Sequence, residues 1–409
     1  MIRRLALLLV VVLAAAAGLI FLLRDEGPSY SPLDLDDDPF AYESDREDEF
    51  ERRAAAGHSH VVYVKSPGGI VATAQRVQRW RDGIEQAAGA AGVEPDLIEG
   101  MVLLESAGRP DARASDDLEG AVGLTQILAE TGTSLLDLEV DVERSERLIR
   151  RLGRTRGPDQ AARIRERLRS ADERFDPGKA LAATGRYLKI AMDEFGREDL
   201  AVVSYHMGIG NLQTLLGAYG DEEASYAQLF FDTAPDSNPR AHRILTGLGD
   251  DSKTYLWRVL ASAEIMRLFR EDRARLERLD RLHASAPSGE LVLHPPGEKQ
   301  PETHPIPGDL GAYGLRARRP ELELAPGAFG IASYIGQGAR KISGARRALV
   351  LTRANGWRFE IRRDYASGRQ AEAFQYMLDR LQALNLIAWV RDPDVIRITA
   401  SREGEELAQ

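Results

Sequence analysis

Cysteine is absent from the 409 residues of the sequence. Its absence excludes both a disulfide framework and a lipid-modified amino-terminal cysteine. Stability must therefore come from packing, and a hydrophobic content of 43% allows a core of normal size. The chain length predicts two or three domains.

A surplus of basic residues is also missing. The 54 lysines and arginines are outnumbered by 64 acidic residues, which gives a formal net charge of −10 at pH 7. Proteins that bind nucleic acids normally carry a basic footprint, so we expect no nucleic-acid partner. Internal repeats are absent as well, which leaves an ordinary globular organisation.

The amino terminus carries the longest apolar run. Leu5 to Leu23 is uninterrupted by charge and follows Arg3 and Arg4. About twenty apolar residues cross a bilayer as a helix, whereas the apolar core of a signal peptide is about half as long. The run predicts a signal anchor at residues 1–24 with a cytoplasmic amino terminus. This places the domains on the extracytoplasmic side of the cell membrane, with a cleaved signal peptide as the alternative.

Composition divides the rest of the chain into four parts. Residues 25–60 are acidic and poor in apolar side chains, which predicts a disordered linker. Residues 61–284 show helical periodicity, and residues 285–307 are rich in proline and predict an extended linker. Residues 308–409 mix strand and helix patterns. We therefore predict a mainly α fold with an amino-terminal transmembrane helix and a smaller α+β carboxy-terminal domain.

One carboxylate stands out within the helical part. Ile98, Met101, Val102 and Glu105 follow the i, i+3, i+4, i+7 spacing of one helix face. Removing a carboxylate from water raises its pKa, which would make Glu105 a proton donor near neutral pH. The alternative is that Glu105 only ends the apolar stripe and extends its carboxylate into solvent.

Two further motifs follow this carboxylate. The sequence GAVGLTQI runs from Gly120 to Ile127, and SYHMGIGN runs from Ser204 to Asn211. Together with Glu105, in this order, they resemble the motifs of soluble lytic transglycosylases of glycoside hydrolase family 23, which includes goose-type lysozymes. The resemblance extends roughly over residues 61–270 and implies a helical, lysozyme-like fold.

The resemblance implies a reaction on peptidoglycan glycan strands without cofactor or metal. Glu105 would act as the single acid and base, and Tyr205 would orient it through a hydrogen bond. Two departures concern the family's usual residues: a histidine replaces an asparagine at position 206, and Thr125 replaces a methionine. Substrate contacts are expected from Ser115, Gly123, Gln126, His206, Asn211 and Tyr255; a packed core aromatic is the alternative for Tyr255.

The expected product is a 1,6-anhydromuramoyl end. Two other outcomes stay open. An acidic loop that carries Asp116, Asp117 and Glu119 could hold a water molecule and favour hydrolysis, as in a lysozyme. The chain could also be a peptidoglycan-binding scaffold without turnover.

The carboxy-terminal domain has a second, fainter resemblance. Its strand patterns resemble the zinc D-alanyl-D-alanine carboxypeptidase and Hedgehog-type fold, but Arg353 and Arg397 occupy the two histidine positions. Arginine has no free lone pair to offer to zinc. The resemblance therefore implies a retained fold without zinc ligands, in which the arginines bind carboxylates or pair with Glu360 and Asp394.

A charged segment lies between the second and third motifs. Residues 134–176 are dense in arginine and glutamate and predict helices that are additional to the minimal family fold. Such a run is usually a solvated helix face, and a binding surface is the alternative.

Overall fold

A computed structural model of the protein describes residues 42–234, 238–285 and 383, together with short strands between residues 304 and 399. The described part contains fourteen α-helices. In chain order they are α1 (Glu47–Lys65), α2 (Ile70–Val77), α3 (Arg81–Ala91), α4 (Pro95–Ser106), α5 (Ala129–Ser134), α6 (Val142–Gly153), α7 (Pro158–Ala171), α8 (Pro177–Phe195), α9 (Glu198–Met207), α10 (Ile209–Tyr219), α11 (Tyr226–Asp232), α12 (Pro239–Gly247), α13 (Tyr255–Glu271) and α14 (Arg273–Ser285).

Local sequence explains several helix ends. Helices α4, α7, α8 and α12 all begin with proline, which lacks the backbone N–H that the first turn leaves unpaired. The Asp176 side chain accepts a 2.9 Å hydrogen bond from the backbone N–H of Lys179 and caps α8. Gly208, with φ +85°, separates α9 from α10. The prediction of a mainly helical fold is confirmed for the described residues.

Helix α13 forms the centre of the helical part. It packs along α4 and α1, while α3 packs against α8. Gly100 permits the close approach of α4 to α13, since a Cβ atom there would lie 2.5 Å from the carbonyl oxygen of Val259. Trp257 of α13 is fully buried among aromatic rings of α11. This packing fixes the carboxyl end of α4 over the start of α13.

The first helix corrects the sequence-based domain boundary. The prediction of disorder for residues 25–60 is wrong for residues 44–60, which form a 3₁₀ turn and most of α1. Phe50 is 1% exposed and packs in the core, so this segment does bury apolar surface. Its negative charge is partly paired, as in the 3.0 Å contact between Glu47 and Arg197. The helical unit therefore begins before residue 61.

Helices α6 and α7 form a charged hairpin with its own small core. The hairpin packs on the loop before α5 through seven buried apolar residues: Leu118, Val122, Leu148, Ile164, Leu168, Ala171 and Phe175. A 3₁₀ turn, Glu173–Phe175, joins the hairpin to α8. The charged segment between the second and third motifs is thus folded and attached to the second motif.

The carboxy-terminal region is described only in its strands. They are β1 (His304–Pro305), β2 (Leu315–Ala317), β3 (Glu323–Leu324), β4 (Leu349–Arg353), β5 (Trp357–Arg362) and β6 (Val395–Thr399). The order β2-β4-β5-β6 forms a four-stranded sheet, and its register places the backbone of Glu360 opposite Arg397. The α+β fold predicted for residues 308–409, and its resemblance to a carboxypeptidase-like fold without zinc ligands, stay predictions.

The predicted membrane span at residues 1–24 lies outside the described residues. So does most of the proline-rich linker at 285–307. Within the part of the chain that the structure describes, no helix has both the length and the apolar character needed to cross a membrane.

Candidate active site

Glu105 lies in the last turn of α4, two residues before Ala107 ends the helix with φ +54°. Its side chain is only partly exposed. The hydroxyl group of Tyr255 donates a 2.7 Å hydrogen bond to Oε1 of Glu105. Tyr255 is the first residue of α13 and is 1% exposed. The packing of α4 on α13 therefore places a buried tyrosine directly against the candidate acid.

Burial raises the pKa of the Glu105 carboxyl group to about 7, because the charged form loses hydration. The hydrogen bond from Tyr255 and the positive charge of Arg258 lower this pKa, while the negative charge of Asp251 raises it. A carboxyl group that titrates near neutral pH can both donate and accept a proton. The raised pKa expected from the apolar stripe is confirmed.

A polar group lies behind Tyr255. The rings of His206 and Tyr255 are 4.9 Å apart between centroids and inclined by 30°. His206 places Nδ1 2.8 Å from Oγ of Ser252 and Nε2 3.5 Å from a carboxylate oxygen of Asp251. Arg258 forms an ion pair with the same carboxylate and donates to the Asp251 carbonyl oxygen at 3.0 Å. These contacts fix the ring of His206, which packs against the ring of Tyr255.

Tyr205 does not hold the candidate acid. Its hydroxyl group donates to the carbonyl oxygen of Thr125 at 2.8 Å and lies 3.3 Å from Oγ1 of Thr184. A phenol has one proton to donate, so this bond to Thr125 uses it. The predicted hydrogen bond from Tyr205 to Glu105 is therefore wrong, and Tyr255 makes that bond instead. Tyr205 joins α9 to the second motif.

The loop of the second motif is held by a buried ion pair. Arg174 and Asp172 are both 0% exposed and lie 2.8 Å apart. The Arg174 guanidinium also donates to the carbonyl oxygens of Leu118, Gly120 and Ile127, at 2.8, 3.1 and 3.2 Å. A single side chain thus satisfies three backbone acceptors of the loop.

Gly123 and Gln126 shape the same loop. Gly123 has φ +85°, and a Cβ atom there would lie 1.9 Å from the carbonyl oxygen of Arg174, so only glycine fits. Gln126 has φ +53°, and its Nε2 donates to the carbonyl oxygens of Gly123 and Ala112 at 2.8 and 3.3 Å. The side-chain amide of Gln126 therefore closes the loop, in line with a backbone contact rather than a sugar contact.

Ser115 and Asn211 lie apart from the group around Glu105. Exposed Ser115 lines a cavity of about 410 Å³ together with Arg109 and Arg113, and its Oγ accepts a 3.2 Å hydrogen bond from the backbone N–H of Asp117. Asn211 donates to the carbonyl oxygen of Met207 at 2.8 Å in the first turn of α10. No described contact joins either residue to Glu105, so their substrate contacts stay predictions.

Residues 157–228 match the Transglycosylase SLT domain family. The match supports a peptidoglycan-acting, lytic transglycosylase-type function, with peptidoglycan as the substrate. It extends from the start of α7 into α11 and includes Tyr205, His206 and Asn211; Glu105 lies upstream of it. No curated protein matches the sequence.

Several residues around the candidate site were missed by sequence reasoning. Arg174 is one of many arginines in a charged segment, and nothing in its spacing distinguishes it from the exposed ones. Asp251 precedes Tyr255 by four positions and Arg258 follows it by three. Residues at these separations share one face of a helix, so the spacing could have indicated a shared site. Within the described residues, no cluster of three or more histidine and acidic side chains is arranged to hold a metal ion.

Proposed function

We propose that the protein is a membrane-anchored lytic transglycosylase. It would cleave the β-1,4 bond between N-acetylmuramic acid and N-acetylglucosamine and leave a 1,6-anhydromuramoyl end. The observation that carries this proposal is the Glu105 carboxyl group, whose pKa is raised to about 7 by burial and which accepts a hydrogen bond from Tyr255. The SLT family match further along the chain supports the same class of substrate.

In the first step, Glu105 donates its proton to the glycosidic oxygen. Tyr255 occupies Oε1 as a donor, so the carboxyl proton of Glu105 is carried by Oε2, which is left for the sugar. As the proton leaves, the hydrogen bond from Tyr255 stabilises the new carboxylate. The leaving group is thereby released as a neutral hydroxyl.

In the second step, the same carboxylate accepts the proton of the muramoyl 6-hydroxyl group. The oxygen of that hydroxyl attacks C1 of the same sugar and closes the 1,6-anhydro ring. Glu105 regains its proton, and no water is consumed. A pKa near neutral pH suits both roles, because neither protonation state is strongly disfavoured.

The carboxylates around the site favour this route over hydrolysis. Most glycosidases need a second carboxylate as nucleophile or as base for water. Asp251, the acidic residue whose charge acts on the Glu105 pKa, is engaged by Arg258 and His206. An attacking hydroxyl within the substrate removes the need for a second carboxylate.

The membrane anchor and the location are part of the same proposal. They rest on the apolar run of residues 5–23 after two arginines, and on a substrate that lies outside the cytoplasm. The domains after residue 24 would face the cell wall.

The test is digestion of purified peptidoglycan by the full-length protein, with mass spectrometry of the products. Anhydro-muropeptides are expected, and Glu105→Gln should abolish them, while Glu130→Gln, on an exposed face of α5, should not. Reducing-end products, heavier by one water, would replace the proposal with a lysozyme-type hydrolase. Wall binding without any product would replace it with a non-catalytic scaffold.

A further inference from the structure

The α6–α7 hairpin carries a concentrated positive charge. Residues 142–171 contain ten arginines and four acidic residues, a net charge of +6 in a chain whose formal net charge is −10. The hairpin is therefore electrostatically opposite to the rest of the molecule. Like charges on one small element repel each other, so an anionic ligand would stabilise the hairpin.

Five of these arginines line one groove. The groove has a volume of about 650 Å³ and lies between the end of α6 and the start of α7. Its lining consists of Arg147, Arg150, Arg151, Arg154, Thr155, Arg156, Gly157 and Gln160. The volume falls within the range of about 300–1,000 Å³ that is typical of small-molecule sites. No carboxylate is among the lining residues.

Three of the five arginines have no acidic partner. Arg147 and Arg150 lie 3.5 and 3.1 Å from Glu143 and Glu146. Within the described residues, by contrast, no carboxylate lies at ion-pairing distance from Arg151, Arg154 or Arg156, and all three are exposed. Their guanidinium groups are thus available to an anion from solution.

We propose that this arginine groove binds the phosphate groups of an anionic phosphate polymer of the cell envelope. A guanidinium group can bind two oxygens of one phosphate at once, and a groove of one charge sign concentrates the field on its ligand. The five arginines follow one another along the groove, which matches the repeated phosphates of a polymer chain. The site is separate from Glu105 and does not depend on the catalytic proposal, whereas the choice of an envelope polymer rests on the proposed extracytoplasmic location.

The test uses the full-length protein and fluorescently labelled linear polyphosphate as the probe. The groove variant combines Arg151→Gln, Arg154→Gln and Arg156→Gln. The control combines Arg163→Gln, Arg165→Gln and Arg167→Gln, which are exposed, outside the groove and identical in charge change. All six side chains are on the surface, so both variants should fold.

We expect the groove variant to bind polyphosphate at least about tenfold more weakly, because each of three charge contacts contributes severalfold. The control should remain within about twofold of the parent. Equal weakening in both variants would show a non-specific charge effect and overturn the proposal, as would no binding by the parent protein. Phosphatidylglycerol vesicles at equal phosphate concentration should not displace the probe. If they do, and phosphatidylcholine vesicles do not, the groove binds a membrane surface and the proposal is overturned.

Discussion

Replacing Glu105 with glutamine should make the protein more stable while it removes activity. The pKa of the Glu105 carboxyl group is about 7 in the folded protein and 4.5 for a hydrated glutamate. Each unit of difference corresponds to about 1.4 kcal/mol, so ionising this group costs the folded state roughly 3 kcal/mol. Partial exposure of the side chain reduces the expected effect to about 1–2 kcal/mol.

The sign follows from proton binding. The folded state holds the Glu105 proton more tightly than the unfolded state, so this group contributes its full stability below pH 4.5. That contribution is lost as the pH rises through about 7. Glutamine does not ionise, and its Oε1 can still accept the hydrogen bond from Tyr255. The variant should therefore gain stability relative to the parent only as the pH rises.

Urea unfolding at pH 4.5 and pH 8.5 measures this difference. The variant and the parent should have similar free energies of unfolding at pH 4.5, and the variant should be about 1–2 kcal/mol more stable at pH 8.5. Its cleavage of peptidoglycan should fall by about 10²-fold or more. If the stability difference between variant and parent is the same at both pH values, the folded protein does not disfavour the ionised form of Glu105 and the argument is refuted.

Three further outcomes follow from the same structure. Tyr255→Phe removes the hydrogen bond that lowers the pKa of Glu105, so the alkaline limb of the pH–activity profile should move to higher pH and kcat should fall about tenfold. The control Tyr205→Phe should leave the alkaline limb at the same pH as in the parent protein. Gly123 has φ +85°, and Gly123→Ala would place a Cβ atom 1.9 Å from a backbone oxygen, so this variant should lose about 2–4 kcal/mol of unfolding free energy in denaturant titrations. The control Gly217→Ala, in an open position of α10, should be neutral or stabilising. Burial lowers the pKa of His58 to about 4, so its contribution to stability is complete above pH 6.5 and is lost as the pH falls towards 4. In a His58→Gln variant, the melting temperature measured by thermal unfolding should therefore fall less steeply as the pH drops from 6.5 to 4.

Local patterns predicted the raised pKa of Glu105 and the helix face on which it lies. Helix α4 extends from Pro95 to Ser106, as the proline and the apolar spacing indicate. Glu105 shares the face of Ile98, Met101 and Val102, all 0% exposed, so the raised pKa follows from the helix period alone. These properties depend on residues within a few turns of one another, which is why sequence reasoning could reach them.

Contacts between distant segments could not be predicted in this way. The tyrosine that binds Glu105 lies 150 positions along the chain. Whether Tyr205 or Tyr255 makes this bond depends on how α13 packs against α4 and on where α9 lies beside α13, which no local pattern encodes. Similarly, residues 44–60 were expected to be disordered from their acidic composition. Their fold depends on a partner, because Phe50 is buried only when α1 packs against α11 and α13.

The polar group behind Tyr255 sets geometry more than acidity. Arg258 lowers the pKa of Glu105 and Asp251 raises it, so the two charges act in opposite directions, with Arg258 the larger cause. Burial is the largest cause and leaves the carboxyl group near neutrality. What the ion pair does provide is a fixed anchor for His206, whose ring holds Tyr255 against the acid. Removing both charges together should therefore change the pKa of Glu105 less than removing Arg258 alone, while it loosens the hydrogen bond from Tyr255 to Glu105.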